Sequence, residues 1–116
     1  VSIVHGHSSH HPRGMEIYNG SLILYGAGDF INDYEGIGGH ERYRPDLTAG
    51  YFVDVDVASA QVTRVLVVPF RLRRFRLERA TAADTEWLAE TLEAASPAGG
   101  VTCRAVDGPA IDCSAV

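Results

Sequence analysis

The feature that most constrains the fold is a series of short β-type runs separated by turn signals. The run Tyr51 to Val57 alternates apolar and polar residues, which is typical of a strand with one buried face. A turn at Ala58 to Gln61 and a second apolar run, Val62 to Phe70, predict a returning strand. Arg71 to Arg79 alternates in part and is expected to continue as another strand. Since proline has no N–H to donate, Pro69 should lie at a strand end or on a sheet edge.

Two turn signals predict hairpins. Asn19-Gly20 separates β-type runs at residues 15–18 and 22–25, and Asp107-Gly108 separates residues 101–106 from a last run at 110–116. The aromatic residues next to the first hairpin are expected in the core: Tyr18, Tyr25 and Phe30.

The only helical pattern follows Thr81-Ala82-Ala83-Asp84, a capping-box variant with Asp in place of Glu or Gln. The helix is expected to run to about Ala95, because Ser96-Pro97 ends it. Its apolar stripe comprises Trp87, Leu88, Thr91, Leu92 and Ala95, and Trp87 is expected to pack in the core. One helix at about 81–95 among many strands predicts an α/β fold, with α+β as the alternative.

The two cysteines, Cys103 and Cys113, would lie opposite each other if the terminal hairpin has a three-residue loop. A cross-strand disulfide and two free thiols both fit that arrangement. Two cysteines in 116 residues do not define a disulfide scaffold, so they leave the redox compartment open.

Charge and hydropathy exclude some partners. The chain carries fifteen Asp plus Glu against ten basic residues, for a net charge of -5, which disfavours a general nucleic-acid binder. The longest apolar stretch, Val65 to Phe70, is too short to be a transmembrane segment. Since the chain opens on an apolar strand-like run, Val1 to Val4, we expect residues 1–116 to be the C-terminal fragment of a single, longer domain.

Potential chemistry is concentrated in a histidine-rich loop, Gly6-His7-Ser8-Ser9-His10-His11, directly after the first strand. Imidazole is the commonest metal ligand in proteins. A tight loop after a strand can direct two imidazoles at one point beyond the end of the sheet, where ligands bind in open α/β folds. An exposed histidine-rich loop without a ligand is the alternative from spacing alone.

The first third of the chain resembles a known family in several ordered motifs. These are Gly6-His7, His10, Glu16-Ile17-Tyr18-Asn19-Gly20, Tyr25 after an apolar strand, and Gly28-Asp29-Phe30. Together they resemble the CapA-type capsule (poly-gamma-glutamate) synthesis proteins, a family similar to calcineurin-like metallophosphoesterases. The likeness extends to about residue 93 and weakens after residue 60. Two serines separate the histidine pair where the wider phosphoesterase motif has a single residue.

The resemblance implies the strand-rich part of a calcineurin-like layered sheet fold and a site with divalent metal ions, dinuclear in the complete domain. It implies His7 and His10 as metal ligands, His11 and Asp29 as catalytic residues, and His5 and Asn32 as substrate-binding residues. The remaining metal ligands of the family come from N-terminal motifs.

Two functions therefore remain from sequence. One is a bacterial metal-dependent hydrolase of poly-gamma-glutamate capsule synthesis, completed by an N-terminal part of the same domain and acting on an anionic or polymer substrate. The other is a non-catalytic scaffold or accessory subunit that retains the fold. A location at the cell envelope is compatible with the resemblance.

Overall fold

The fold is described by a computed structural model, which covers residues 1–6, 11–28, 46–74, 76–98 and 100–115. Two β-sheets and one helix make up these residues, so the strand-rich α/β class is confirmed. In chain order the elements are β1 (Ile3–His5), β2 (Met15–Tyr18), β3 (Ser21–Leu24), β4 (Leu47–Val55), β5 (Val62–Arg73), β6 (Arg76–Arg79), α1 (Ala82–Ala95), β7 (Thr102–Val106) and β8 (Ala110–Ser114).

The small sheet has the strand order β1-β3-β2. Strands β2 and β3 form the hairpin predicted at Asn19-Gly20, and both turn residues have positive φ, 50° and 78°, as a type I′ turn requires. Strand β1 pairs in parallel with β3. Within the described residues β1 has this one neighbour and is exposed along its length.

The large sheet has the order β4-β5-β8-β7, and β6 also pairs with β5. Strand β5 is longer than predicted and runs through Pro69 to Arg73. Its neighbour changes along one edge, from β8 at residues 65–67 to β6 at residues 70–73. The expectation that Pro69 lies at a strand end or on a sheet edge is wrong, because it lies inside β5 opposite Ala49 of β4. On the other side it falls in the gap between β8 and β6, so no ladder N–H donor is lost there.

Strand β4 also differs from its predicted bounds, since it covers Leu47–Val55 rather than residues 51–57. Its first residues, Leu47 to Ala49, are buried and pair with Arg71 to Pro69 of β5. The strand ends early because Asp56 begins the turn: its N–H donates to Gln61 O and its carboxylate accepts from the Ala58 N–H. Val57 is therefore 96% exposed.

Helix α1 begins with the capping box predicted at Thr81 and Asp84, in which each side chain accepts a hydrogen bond from the other residue's N–H. Its buried face is rotated from the predicted stripe and consists of Asp84, Thr85, Leu88, Ala89 and Leu92. Ala95 is exposed, and Trp87 is partly buried against the core, which confirms its packing role. The helix has neither the length nor the apolar character to cross a bilayer, and the described residues contain no other helix.

The core lies where α1 packs against both sheets. Its largest fully buried side chains include Met15 and Leu22 from the small sheet, Leu88 and Leu92 from α1, and Ile111 from β8. The expectation that Tyr18 and Tyr25 belong to this core is wrong, because they are 59% and 48% exposed. Phe30 lies outside the described residues.

Candidate functional site

The candidate site lies at the carboxyl ends of two parallel strands. The register of β1 and β3 pairs Ile3 with Leu22 and His5 with Leu24, so both strands end at the same edge of the small sheet. The Gly6 N–H extends this pairing by donating to Leu24 O at 2.7 Å. A side chain at Gly6 would collide with the Tyr25 carbonyl, which explains glycine at the start of the histidine loop.

The end of the histidine loop rests on the start of the glycine-rich loop. The Arg13 N–H donates to Gly26 O at 2.8 Å, and the Tyr25 N–H donates to Gly14 O at 3.1 Å. Gly28 has a φ of +82°, and a Cβ there would lie 2.8 Å from the Pro12 nitrogen. Residues 11–14, between the histidine loop and β2, are therefore in backbone contact with residues 25–28 at the start of the glycine-rich loop, and this contact continues the pairing of β2 with β3.

The predicted site residues fall into two groups. His5 and His11 are described and lie on either side of residues 7–10. His5 is the exposed last residue of β1, and its Nδ1 is 3.4 Å from the adjacent Gly6 carbonyl. His11 is half-buried before the buried Pro12. His7, His10, Asp29 and Asn32 lie outside the described residues.

The described residues do not form a metal centre by themselves. Within residues 1–6, 11–28, 46–74, 76–98 and 100–115, no three His, Cys, Asp or Glu side chains are grouped so that they could hold an ion. The proposed ligand pair, His7 and His10, stays a prediction.

The structure adds a polar pair that the sequence interpretation missed. The Tyr25 hydroxyl donates to Glu16 Oε1 at 2.7 Å on the exposed face of the small sheet. This hydrogen bond to the carboxylate raises the pKa of Tyr25 above its usual 10.0. Both residues belong to the motifs that carry the family resemblance, so the motifs contained the signal that Tyr25 has a polar role.

A cleft of about 480 Å³ lies beside this pair, between the end of β3 and the end of α1. It is lined by Arg13, Gly14, Tyr25, Ala95 and Pro97. The helix end is fixed here by Ser96, whose hydroxyl accepts from the Met15 N–H at 2.9 Å and donates to Leu92 O at 2.6 Å. The cleft thus presents a guanidinium and a phenol next to the two loops.

Comparison with known proteins shows what the chain is similar to. Residues 1–34 match the model of the bacterial capsule synthesis protein PGA_cap, and this range contains both loop starts and the β2–β3 hairpin. Two proteins named probable polyglutamine synthesis accessory protein, from Mycobacterium tuberculosis strains CDC 1551 and H37Rv, are each 50% identical to the chain over 101 residues. The chain is thus similar to bacterial capsule synthesis proteins, as its motifs predicted. The aligned region is 87% of this chain but only 27% of either relative.

Proposed function

We propose that this chain carries one part of a metal-dependent hydrolase-like site that acts in poly-gamma-glutamate capsule synthesis. The proposal rests first on the contact between its two candidate loops. Gly28 lies against the backbone of His11 and Pro12, and the Arg13 N–H binds Gly26 O. The described residues next to the two predicted site segments, 11–13 and 26–28, therefore lie side by side.

The proposed division of roles follows from this placement. His7 and His10 hold a divalent metal ion, and His11 and Asp29 orient the reacting groups next to it. His5 and Asn32 contact the substrate. A bound divalent ion would polarise a phosphoryl or carbonyl oxygen and lower the pKa of a bound water.

Two histidines are too few for such a centre, because protein metal sites of this kind use three or four protein ligands. We propose that the remaining ligands come from an N-terminal part of the same domain. This fits the fact that the chain spans 27% of the length of its relatives. It also fits the exposed apolar strand β1, whose Ile3 and Val4 are 41% and 50% exposed.

The substrate is proposed to be an anionic polymer. The cleft beside the loops places the exposed cation Arg13 and the Tyr25 hydroxyl on one surface. A guanidinium is suited to carboxylate and phosphate groups because it offers paired N–H donors. Repeated carboxylates of a polyglutamate chain would satisfy this recognition.

The second candidate function is a non-catalytic accessory subunit. The relatives from M. tuberculosis are named accessory proteins, which favours it. In that case the loops would serve as a binding surface and would not turn over a substrate.

The two functions are separated by comparing the protein at the length of its relatives with its His10→Ala variant. His40→Ala is the control, because it also removes an imidazole but lies beyond the family match. The hydrolase proposal expects bound Mn²⁺ or Zn²⁺ and polyglutamate or phosphodiester turnover, both lost in His10→Ala and kept in His40→Ala. Circular dichroism verifies that each variant is folded. A folded wild-type protein that binds the polymer without metal and without turnover would support the accessory function.

A further inference from the structure

The two cysteines face each other across the terminal hairpin. The register of β7 and β8 pairs Cys103 with Cys113 around a loop of residues 107–109. The two thiols are free, and their Sγ atoms are 3.1 Å apart. The three-residue loop on which the sequence prediction depended is thus present.

The backbone around the pair suits a disulfide. The Cys103 N–H donates to Glu93 Oε1 of α1 at 2.9 Å, so it points away from β8. Cys103 and Cys113 are therefore a non-hydrogen-bonded pair, the kind in which Cα atoms of antiparallel strands are about 4.5 Å apart. Disulfides span Cα separations of about 4.4 to 6.8 Å, so closure needs little backbone movement.

The two thiols differ in access and in acidity. Cys103 is half-buried and Cys113 is 1% exposed. The Cys113 thiol donates a hydrogen bond to Cys103 Sγ, which lowers the pKa of Cys103, while the same interaction and burial raise the pKa of Cys113. Cys103 is thus the more accessible thiol and the one that loses its proton more readily, so it can begin an exchange reaction, in which the thiolate is the nucleophile.

We propose that Cys103 and Cys113 are a reversible dithiol–disulfide pair that closes by exchange with a small-molecule disulfide such as oxidised glutathione. The Cys103 thiolate attacks one sulfur of the oxidant, forms a mixed disulfide and releases one glutathione thiolate. Cys113 then loses its proton and attacks Cys103 Sγ, which releases the second glutathione. The chain loses two protons and two electrons, and one oxidised glutathione takes them up to become two reduced molecules.

The bond would join β7 to β8 at the edge of the large sheet. β7 is the last strand in the order β4-β5-β8-β7, whereas Cys113 of β8 is paired with Val65 in the centre of the sheet. Closure would therefore fix the edge strand to the core. This inference does not depend on the proposed function, because it involves neither loop of the candidate site.

The test is a redox titration of the chain with reduced and oxidised glutathione, followed by alkylation and mass spectrometry. Trypsin cleavage after Arg104 separates the cysteines, so a disulfide leaves the peptides of residues 80–104 and 105–116 linked. We expect the peptides to be linked in native buffer. We also expect the equilibrium constant for forming the disulfide from oxidised glutathione to fall at least about tenfold in concentrated urea, because the unfolded chain no longer holds the thiols together.

Cys103→Ser/Ala105→Cys is the matched variant, since it keeps two thiols on one face but puts them diagonally opposite, about 7–8 Å apart. Both of its cysteines lie in the tryptic peptide of residues 105–116, so its disulfide is measured from the alkylation mass of that peptide. In native buffer, the equilibrium constant for forming its disulfide should fall to the value that the wild-type chain has in urea. If the equilibrium constant of the wild-type chain is the same in native buffer and in urea, that result alone overturns the proposal. So would oxidation that gives only mixed or inter-chain disulfides.

Discussion

Replacing Gly28 by alanine tests the contact between the two loops. An alanine at a φ of +82° costs about 1–2 kcal/mol, because its Cβ crowds the following carbonyl. The new Cβ would also lie 2.8 Å from the Pro12 nitrogen and 2.9 Å from the His11 carbonyl carbon. Both atoms belong to the backbone, so forcing them apart adds about 1–3 kcal/mol.

Gly20→Ala is the matched control for this change. Gly20 has nearly the same φ, +78°, but its nearest neighbour is the side chain of Gln61, with Cγ at 2.8 Å. That exposed side chain can rotate away, so only the backbone cost of about 1–2 kcal/mol remains. The entropy lost from the unfolded chain on replacing glycine is common to both variants and cancels.

The assay is urea denaturation followed by circular dichroism, together with amide hydrogen exchange of the Arg13 N–H. We expect the free energy of unfolding to fall by about 1–3 kcal/mol more in Gly28→Ala than in Gly20→Ala. We expect Arg13 exchange to accelerate about tenfold or more in Gly28→Ala alone, since its acceptor is Gly26 O. Equal destabilisation of the two variants, with Arg13 protection unchanged, would refute the contact between the loops.

Three further results are expected. Thr81→Ala should lower the free energy of unfolding by about 1 kcal/mol, measured by urea titration with Trp87 fluorescence as the signal. Thr81→Ser keeps the cap and should lose less, so equal losses in the two variants would contradict this. The chain alone should show no phosphodiesterase turnover with added Mn²⁺ or Zn²⁺, and clear turnover abolished by His7→Ala would prove that expectation wrong. The chain should self-associate, as measured by sedimentation velocity. Val4→Lys on the edge strand should reduce the association more than Val57→Lys in the exposed turn. A monodisperse wild-type monomer would argue against an open edge.

Elements with local signals could be predicted from the sequence. Asn19-Gly20 supplies the two positive φ angles of its turn, and Thr81 with Asp84 supplies the helix cap. Each signal acts within four residues, so it does not depend on the rest of the fold.

Elements that depend on distant partners were predicted less well. The first residues of β4, Leu47 to Ala49, are extended because they pair with β5, which their own sequence does not reveal. The rotated face of α1 likewise follows from the sheets against which it packs. Tyr25 is 48% exposed, and its hydroxyl donates to Glu16, a partner nine residues away.

The candidate site was predictable in part. The histidines at the end of the first strand and after it, together with the family motifs, indicated the first loop, and the resemblance to capsule synthesis proteins is confirmed. The parallel pairing of β1 with β3 could not be derived from either strand alone. That pairing brings the first residues of both loops, Gly6 and Gly26, to the same edge.

The central claim is that His7 and His10 share one metal ion beyond this edge. The most direct test is a crystal structure, with Zn²⁺ added, of the protein at the length of its relatives. We predict an anomalous scattering peak about 2.1 Å from an imidazole nitrogen of both residues. Imidazole nitrogens more than about 8 Å apart, with no rotamer that brings them to one point, would contradict the claim.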